Sequence, residues 1–300
     1  MLSSFILKNI AVVSMLIDHA GVMLSYAGVL RSQTLYYTLR SIGRAAFPLF
    51  AFFLVIGFEK TRDRAKYLTR LCKVAVISQL PFSFATFRSN YSGSGGAPLF
   101  FCRADLPLLI VLALIIAAYF LEGKERKLLP LFASAVAAIA VGRMTWRFHG
   151  CTLLYKNLNI FYTLACSLAV IWVLDLLRDR KEYSTRSLII AAVVCAAVCA
   201  ILIKDVDYGW RGLLLIVMLY LFRGSTETQA LMTALWGAVV YLGISLSAGA
   251  YLGYLAGNCL AAVGILLYSG EQGRKSRVFY YIYPVHLAVF GAICMFALNG

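Results

Sequence analysis

Charge is what this chain has little of. Lysine, arginine, aspartate and glutamate make up 14% of its 300 residues, against 62% hydrophobic residues, where soluble domains carry roughly 25% charged residues. So few charges cannot cover a soluble protein of this length, and a soluble domain is excluded. The short segments of alternating polarity that mark a membrane barrel are absent too. No Pro/Ser-rich linker or soluble insert interrupts the chain. The eight cysteines form no CxxC pair and no alternating Cys/His spacing, so no metal site is expected. Most lie in apolar runs, where cysteine acts as a small hydrophobe. The net charge of +15 would point a soluble chain towards nucleic acid. Here the basic residues sit mostly in short loops between apolar runs, and no nucleic-acid motif accompanies them.

What is present is a series of long apolar runs, with a mean hydropathy of +0.82. A bilayer core about 30 Å thick takes roughly 20 apolar residues per helix. Lipid also obliges each run to satisfy its own backbone hydrogen bonds, which a helix does. The pattern predicts an all-α, polytopic transmembrane helix bundle of about eleven spans (ten to eleven). They fall at roughly 5–27, 43–58, 70–87, 104–121, 128–143, 159–177, 187–203, 210–222, 230–247, 251–268 and 278–297. The first run starts at Phe5 with Lys8 as its one basic residue and has no small-residue cleavage site, so it reads as a retained helix. One membrane domain over 1–300, without internal repeats, is expected in a bacterial inner or plasma membrane.

Orientation follows from the basic loops. Lys60, Arg62, Arg64, Lys66 and Arg70 form one group, and Lys124, Arg126 and Lys127 a second. Arg178, Arg180, Lys181 and Arg186 form a third, and Arg274, Lys275 and Arg277 a fourth. Eleven spans put all four on one side, which the positive-inside rule makes cytoplasmic. The N-terminus is then inside and the stretch 89–98 outside.

Ionisable groups inside an apolar span are expensive and mark function by default. Asp18 and His19, in LIDHAG, lie near the middle of the first run. Neighbouring helix positions do not face each other, so each needs a partner on another helix. His19 reads as a general base and Asp18 as an orienting or cation-binding group; a structural polar cluster is the alternative. Arg40 and Arg44 stand one helical turn apart, able to clamp phosphate or carboxylate, to pair with Asp18, or to anchor at the headgroups. Pro48 follows, fit for a kink or a helix first turn. The basic group from Lys60 to Arg70 is a topology anchor residue by residue and a dock for a polyanion as a group. His286 lies two residues after Pro284 in FYYIYPVHLAVF, as a second polar group or a packing residue. NLNIFYTL and DYGWRG read as helix starts with capping residues.

Together these segments resemble the TraX family. LIDHAG, GRAAFPLFAFFLVIGFEKTR with YLTRL and ISQLPF after it, NIFYTL, DYGWRG with YLFR, and FYYIYPVHL occur in the family's order over nearly the whole chain. The named member of that family acetylates the N-terminus of pilin subunits. The family is similar in turn to membrane acyltransferases that use acetyl-CoA. The resemblance implies a transmembrane acyltransferase with His19 as catalytic base, Asp18 beside it and His286 as the second polar group. It implies that Arg40, Arg44, Lys60, Arg62, Arg64, Lys66 and Arg70 lie on the path of acetyl-CoA, the co-substrate; in the mechanism expected here Arg44 also stabilises the reacting oxyanion. The expected partners are membrane lipid and an acyl acceptor, whether a protein N-terminus, a sugar or a small molecule. A transporter or flippase using the same Asp, His and Arg as a relay is the rival reading.

Overall fold

The structure, a computed structural model, describes residues 1–26, 28–85, 91–93, 100–102, 129–142, 144–148, 151–154, 157–178, 185–244, 246–271 and 278–298. Its helices are α1 (Ser4–Tyr26), α2 (Gln33–Gly43), α3 (Ala46–Lys60), α4 (Arg64–Ala85), α5 (Leu129–Gly142) and α6 (Ile160–Arg178). They continue with α7 (Thr185–Leu202), α8 (Gly209–Leu221), α9 (Thr226–Leu242), α10 (Ala248–Leu266) and α11 (Val278–Leu298). The expected all-α architecture is there, and each expected span among the described residues coincides with a helix. The run at 104–121 and His149 lie outside them. Four stretches are long and apolar enough to cross a bilayer: Ser4–Ser25, Gln33–Lys60, Ile160–Arg178 and Ala248–Leu266. Leu188–Ala200, Gly209–Leu221 and Tyr281–Ile293 are shorter apolar helices. Large apolar side chains such as Val13, Val239, Leu252 and Leu260 face outward, while Asp18, Gln79, Asn159, Thr163 and His286 are buried. That is the pattern of a bundle solvated by lipid.

Two features were not expected. One is that the stretch Gln33–Lys60 begins with a separate helix, α2, ahead of the span expected at 43–58. The other is a small antiparallel sheet of β1 (Tyr91–Gly93), β2 (Phe100–Cys102), β3 (Met144–Phe148) and β4 (Cys151–Leu154), in the order β1-β4-β3-β2. Its strands are three to five residues long, too short to stand out from the apolar runs beside them.

The chain divides into two compact units, Met1–Glu59 with Leu213–Gly300, and Lys60–Gly212. In the second, buried amides pin α4 to the start of α6. Asn159 Nδ2 donates to the Ala75 carbonyl and to Gln79 Oε1, both at 2.8 Å. Asn159 Oδ1 in turn caps α6 by accepting from the Phe161 N–H. At the other end of the same pair, Arg64 meets Asp175 at 2.6 Å. The two helices are therefore antiparallel, and the basic start of α4 lies at the same end as Arg178. The Thr163 hydroxyl donates to the Asp207 carbonyl, tying NLNIFYTL to the turn before α8.

In the first unit, several chain ends gather at one pole. The Leu2 and Ser4 N–H groups donate to the Leu267 and Glu271 carbonyls. Lys8 lies over the Phe53 ring, Tyr268 packs edge-on against Phe52 and Phe53, and Glu59 pairs with Arg223. The starts of α1 and the ends of α3, α8 and α10 thus share this pole. Helix α3 cannot simply continue α2, because Pro48 has no N–H to give the Arg44 carbonyl and the helix restarts around it.

Candidate functional site

Helix α2 carries arginines into the bundle because glycines leave room for it. Ser32 caps its start, accepting from the Leu35 N–H. Gly253 and Gly257, one turn apart on α10, face Ser41: a Cβ on Gly253 would meet the Ser41 hydroxyl, and one on Gly257 would overlap the Ser41 carbonyl. A Cβ on Gly43 would overlap the Asp18 carboxylate. Small residues of this kind let helix backbones approach closely within a membrane.

This seating brings Arg40 and Arg44 to Asp18 on α1. Arg40 Nη1 donates to Asp18 Oδ2 at 2.6 Å; Arg44 Nη2 donates to Oδ1 at 2.9 Å and to Oδ2 at 3.2 Å. Arg44 Nε donates to the Arg40 carbonyl, and the guanidinium lies 5.1 Å from the Tyr254 ring centroid. Asp18 and Arg44 are 8% and 9% exposed, so this is a buried pair. Both carboxylate oxygens are held, and two cations face one anion.

His19 turns the other way, as its position next to Asp18 on a helix requires. Its Nδ1 lies 2.6 Å from His286 Nε2 on α11. The rings are within 14° of coplanar with centroids 4.9 Å apart. Nitrogens closer together than the centroids, in nearly parallel planes, make this an edge-to-edge hydrogen bond within the ring plane. His286 Nδ1 lies 2.7 Å from the Ile282 carbonyl one turn back. A carbonyl only accepts, so His286 Nδ1 carries the hydrogen. With both rings neutral, His286 Nε2 accepts, His19 Nδ1 donates, and His19 Nε2 keeps its lone pair. Tyr283 stands edge-on to both imidazoles, and Phe290 edge-on to His286. Tyr281, two residues before Tyr283, points outward.

Asp18, His19, Arg40, Arg44 and His286 thus meet within one unit, as two polar groups joined through adjacent residues of α1. Lys60, Arg62, Arg64, Lys66 and Arg70 belong to the other unit. There Lys60, Arg62, Lys66 and Arg70 are exposed, while Arg64 is taken up by Asp175. Asp63 caps α4 through the Lys66 N–H. Among the described residues, no group of three or more His, Cys, Asp or Glu is placed to hold a metal. Sequence reasoning missed the Ile282 carbonyl, Gly43, and the seat made by Gly253 and Gly257. The Gly-x-x-x-Gly spacing in an apolar helix was the readable signal for that seat.

A family model described as "TraX protein" matches residues 3–155 and 102–294. A curated protein from Dichelobacter nodosus, named "Probable fimbrial assembly protein FimC, serogroup H1", is 33% identical over 141 residues, 46% of this chain and 55% of that protein. The match therefore spans about half the length of that relative. No solved structure matches.

Proposed function

The chain belongs to the TraX family, and on that premise we propose that it is an integral membrane acyltransferase, moving an acetyl group from acetyl-CoA to an amine or hydroxyl at the membrane. The observation that carries the reading is the hydrogen-bond chain from the Ile282 carbonyl through His286 to His19. Among the described residues it leaves one ring nitrogen of His19 without a hydrogen-bond partner, on an imidazole whose orientation is fixed, which is what a general base requires. His19 Nε2 takes the proton of the acceptor as its nitrogen or oxygen attacks the thioester carbonyl. The carbon–sulfur bond then breaks, and the departing thiolate receives that proton. His286 acts through His19 as a positioning residue.

Acetyl-CoA is made in the cytoplasm, and the exposed Lys60, Arg62, Lys66 and Arg70 give its phosphates a basic surface. Arg44 is held on Asp18 and on the Arg40 carbonyl, so we assign it to fixing the carboxylate rather than to the oxyanion. The acceptor is a protein N-terminus, a sugar or a small molecule, and the relative's name as a fimbrial assembly protein favours the first.

The test is release of free CoA from acetyl-CoA by the purified protein in lipid, with and without each acceptor class. Acceptor-dependent release that disappears in His19→Gln is the expected result. No release with any acceptor, together with proton-coupled uptake in proteoliposomes, would move the same residues to the transporter reading.

A further inference from the structure

Among the described residues, the Asp18 cluster sets two guanidinium groups against one carboxylate, in a segment expected to lie in the membrane. Uncompensated charge is costly there, and buried cations normally have an anionic partner. Arg40 is the residue with capacity to spare. A guanidinium offers five N–H donors, and Arg40 gives one to Asp18. Its Nε is buried without a hydrogen-bond partner among the described residues, while 21% of the side chain remains exposed. The cluster also lies far from the pole where the N-terminus, Glu59 and Arg223 gather. Asp18 stands roughly 20 Å along α1 from Ser4 at 1.5 Å per residue, in a bilayer core about 30 Å thick. A ligand reaching Arg40 from the exposed side of α2 thus arrives well away from that pole.

We propose that Asp18, Arg40 and Arg44 form an anion-binding subsite for the acyl acceptor, taking a carboxylate or phosphate that the acceptor carries beside its reacting amine or hydroxyl. The acceptor's part in this rests on the acyl-transfer reading; the anion site itself does not. Asp18 holds the two arginines apart and in register, and Arg40 supplies the open donors. Arg44 keeps the cluster from collapsing when the ligand leaves.

The experiment follows the thermal stability of the full chain in phosphatidylcholine nanodiscs, with sodium acetate or sodium phosphate titrated against chloride at constant ionic strength. The expected result is a saturable rise in Tm of roughly 2–4 °C with acetate or phosphate, lost in Arg40→Gln and partly kept in Arg40→Lys. No anion-specific rise in the unaltered protein overturns the site, whatever the variants do, and so does an equal rise in Arg40→Gln. An Arg40-dependent rise with phosphatidylglycerol nanodiscs alone assigns the site to a lipid headgroup and overturns the acceptor. A rise with CoA alone assigns it to the donor and overturns it equally. None of these readings uses turnover. Acetate binding without CoA release keeps the anion site and sinks acyl transfer; CoA release without anion binding does the reverse.

Discussion

His19 and His286 meet edge to edge, nitrogen to nitrogen at 2.6 Å, with their rings within 14° of one plane. The relationship is asymmetric. His286 spends its second nitrogen on the Ile282 carbonyl, whereas the second nitrogen of His19 has no hydrogen-bond partner among the described residues. One imidazole is therefore anchored to backbone and the other is held in a single tautomer by it.

That asymmetry separates two substitutions at His19, the proposed base. His19→Gln keeps polarity and a group able to meet His286, yet it has no basic nitrogen. It should lose about 10²–10⁴-fold in acyl transfer, nearly as much as His19→Ala, with Tm close to that of the unaltered protein. Turnover in lipid alongside melting curves checks this; full turnover in a folded His19→Gln protein would remove the catalytic role.

His286 should behave differently. His286→Gln still presents an acceptor to His19 Nδ1–H and should fall by about tenfold or less. His286→Leu leaves that N–H without a partner and frees the tautomer, and should lose about 10²-fold or more. The shape of the pH–rate profile distinguishes positioning from packing. His286→Leu should move its base limb, whereas a packing role would lower the rate evenly at every pH.

Removing Asp18 leaves a buried guanidinium, Arg44, and a partly buried one, Arg40, facing each other. Asp18→Asn should destabilise by about 3 kcal/mol, the lower end for breaking a buried pair because Arg40 is partly exposed. Adding Arg40→Gln to Asp18→Asn removes one of the repelling charges. The double variant should therefore be more stable than the sum of the two single losses predicts. Strict additivity in chemical unfolding would mean that the three side chains are not coupled.

Three glycines of α10 give a contrast within one helix. Gly257→Ala should cost about 1–3 kcal/mol or more, because its methyl group overlaps the Ser41 backbone carbonyl. Gly249→Ala meets nothing within 4 Å and should be neutral or up to about 1 kcal/mol stabilising through helix propensity. Gly253→Ala falls between, since it meets a hydroxyl that can turn away. Equal melting temperatures for Gly249→Ala and Gly257→Ala would contradict the packing of α2 on α10.

For the donor, replacing Arg62, Lys66 and Arg70 together with Gln should weaken acetyl-CoA binding about tenfold or more. The effect should shrink as salt rises, since exposed charges are screened over about 8 Å at physiological ionic strength. Arg64 is left in place because its ion pair with Asp175 would add a structural cost. Unchanged affinity would leave the cluster as a topology signal alone.

Much of this was legible in the sequence because lipid imposes simple demands. Apolar runs had to be helices, and Asp18 and His19, adjacent on one helix, had to find partners on others. The pairing of Asp18 with Arg40 and Arg44 was one of three options that their spacing allowed. What stayed hidden depends on contacts remote in sequence. The α2 segment QTLYYTLRSIG is too polar to register as a span and gains its place from glycines on α10. The free nitrogen of His19 depends on a backbone carbonyl four residues before His286, which no residue type announces. The small sheet was missed because its strands are shorter than any window that detects spans.

The glycine seat of α2 has a consequence for how the protein is made. Ser41 emerges from the ribosome long before Gly253 and Gly257, so the groove that receives α2 does not exist when Arg40 and Arg44 reach the membrane. Until α10 is inserted, the short helix is held only on its α1 side, through Gly43 and Asp18. The charged cluster is thus completed late in biogenesis. A chain cut short before α10 should present exposed arginines to quality-control proteases rather than persist as a half-built bundle.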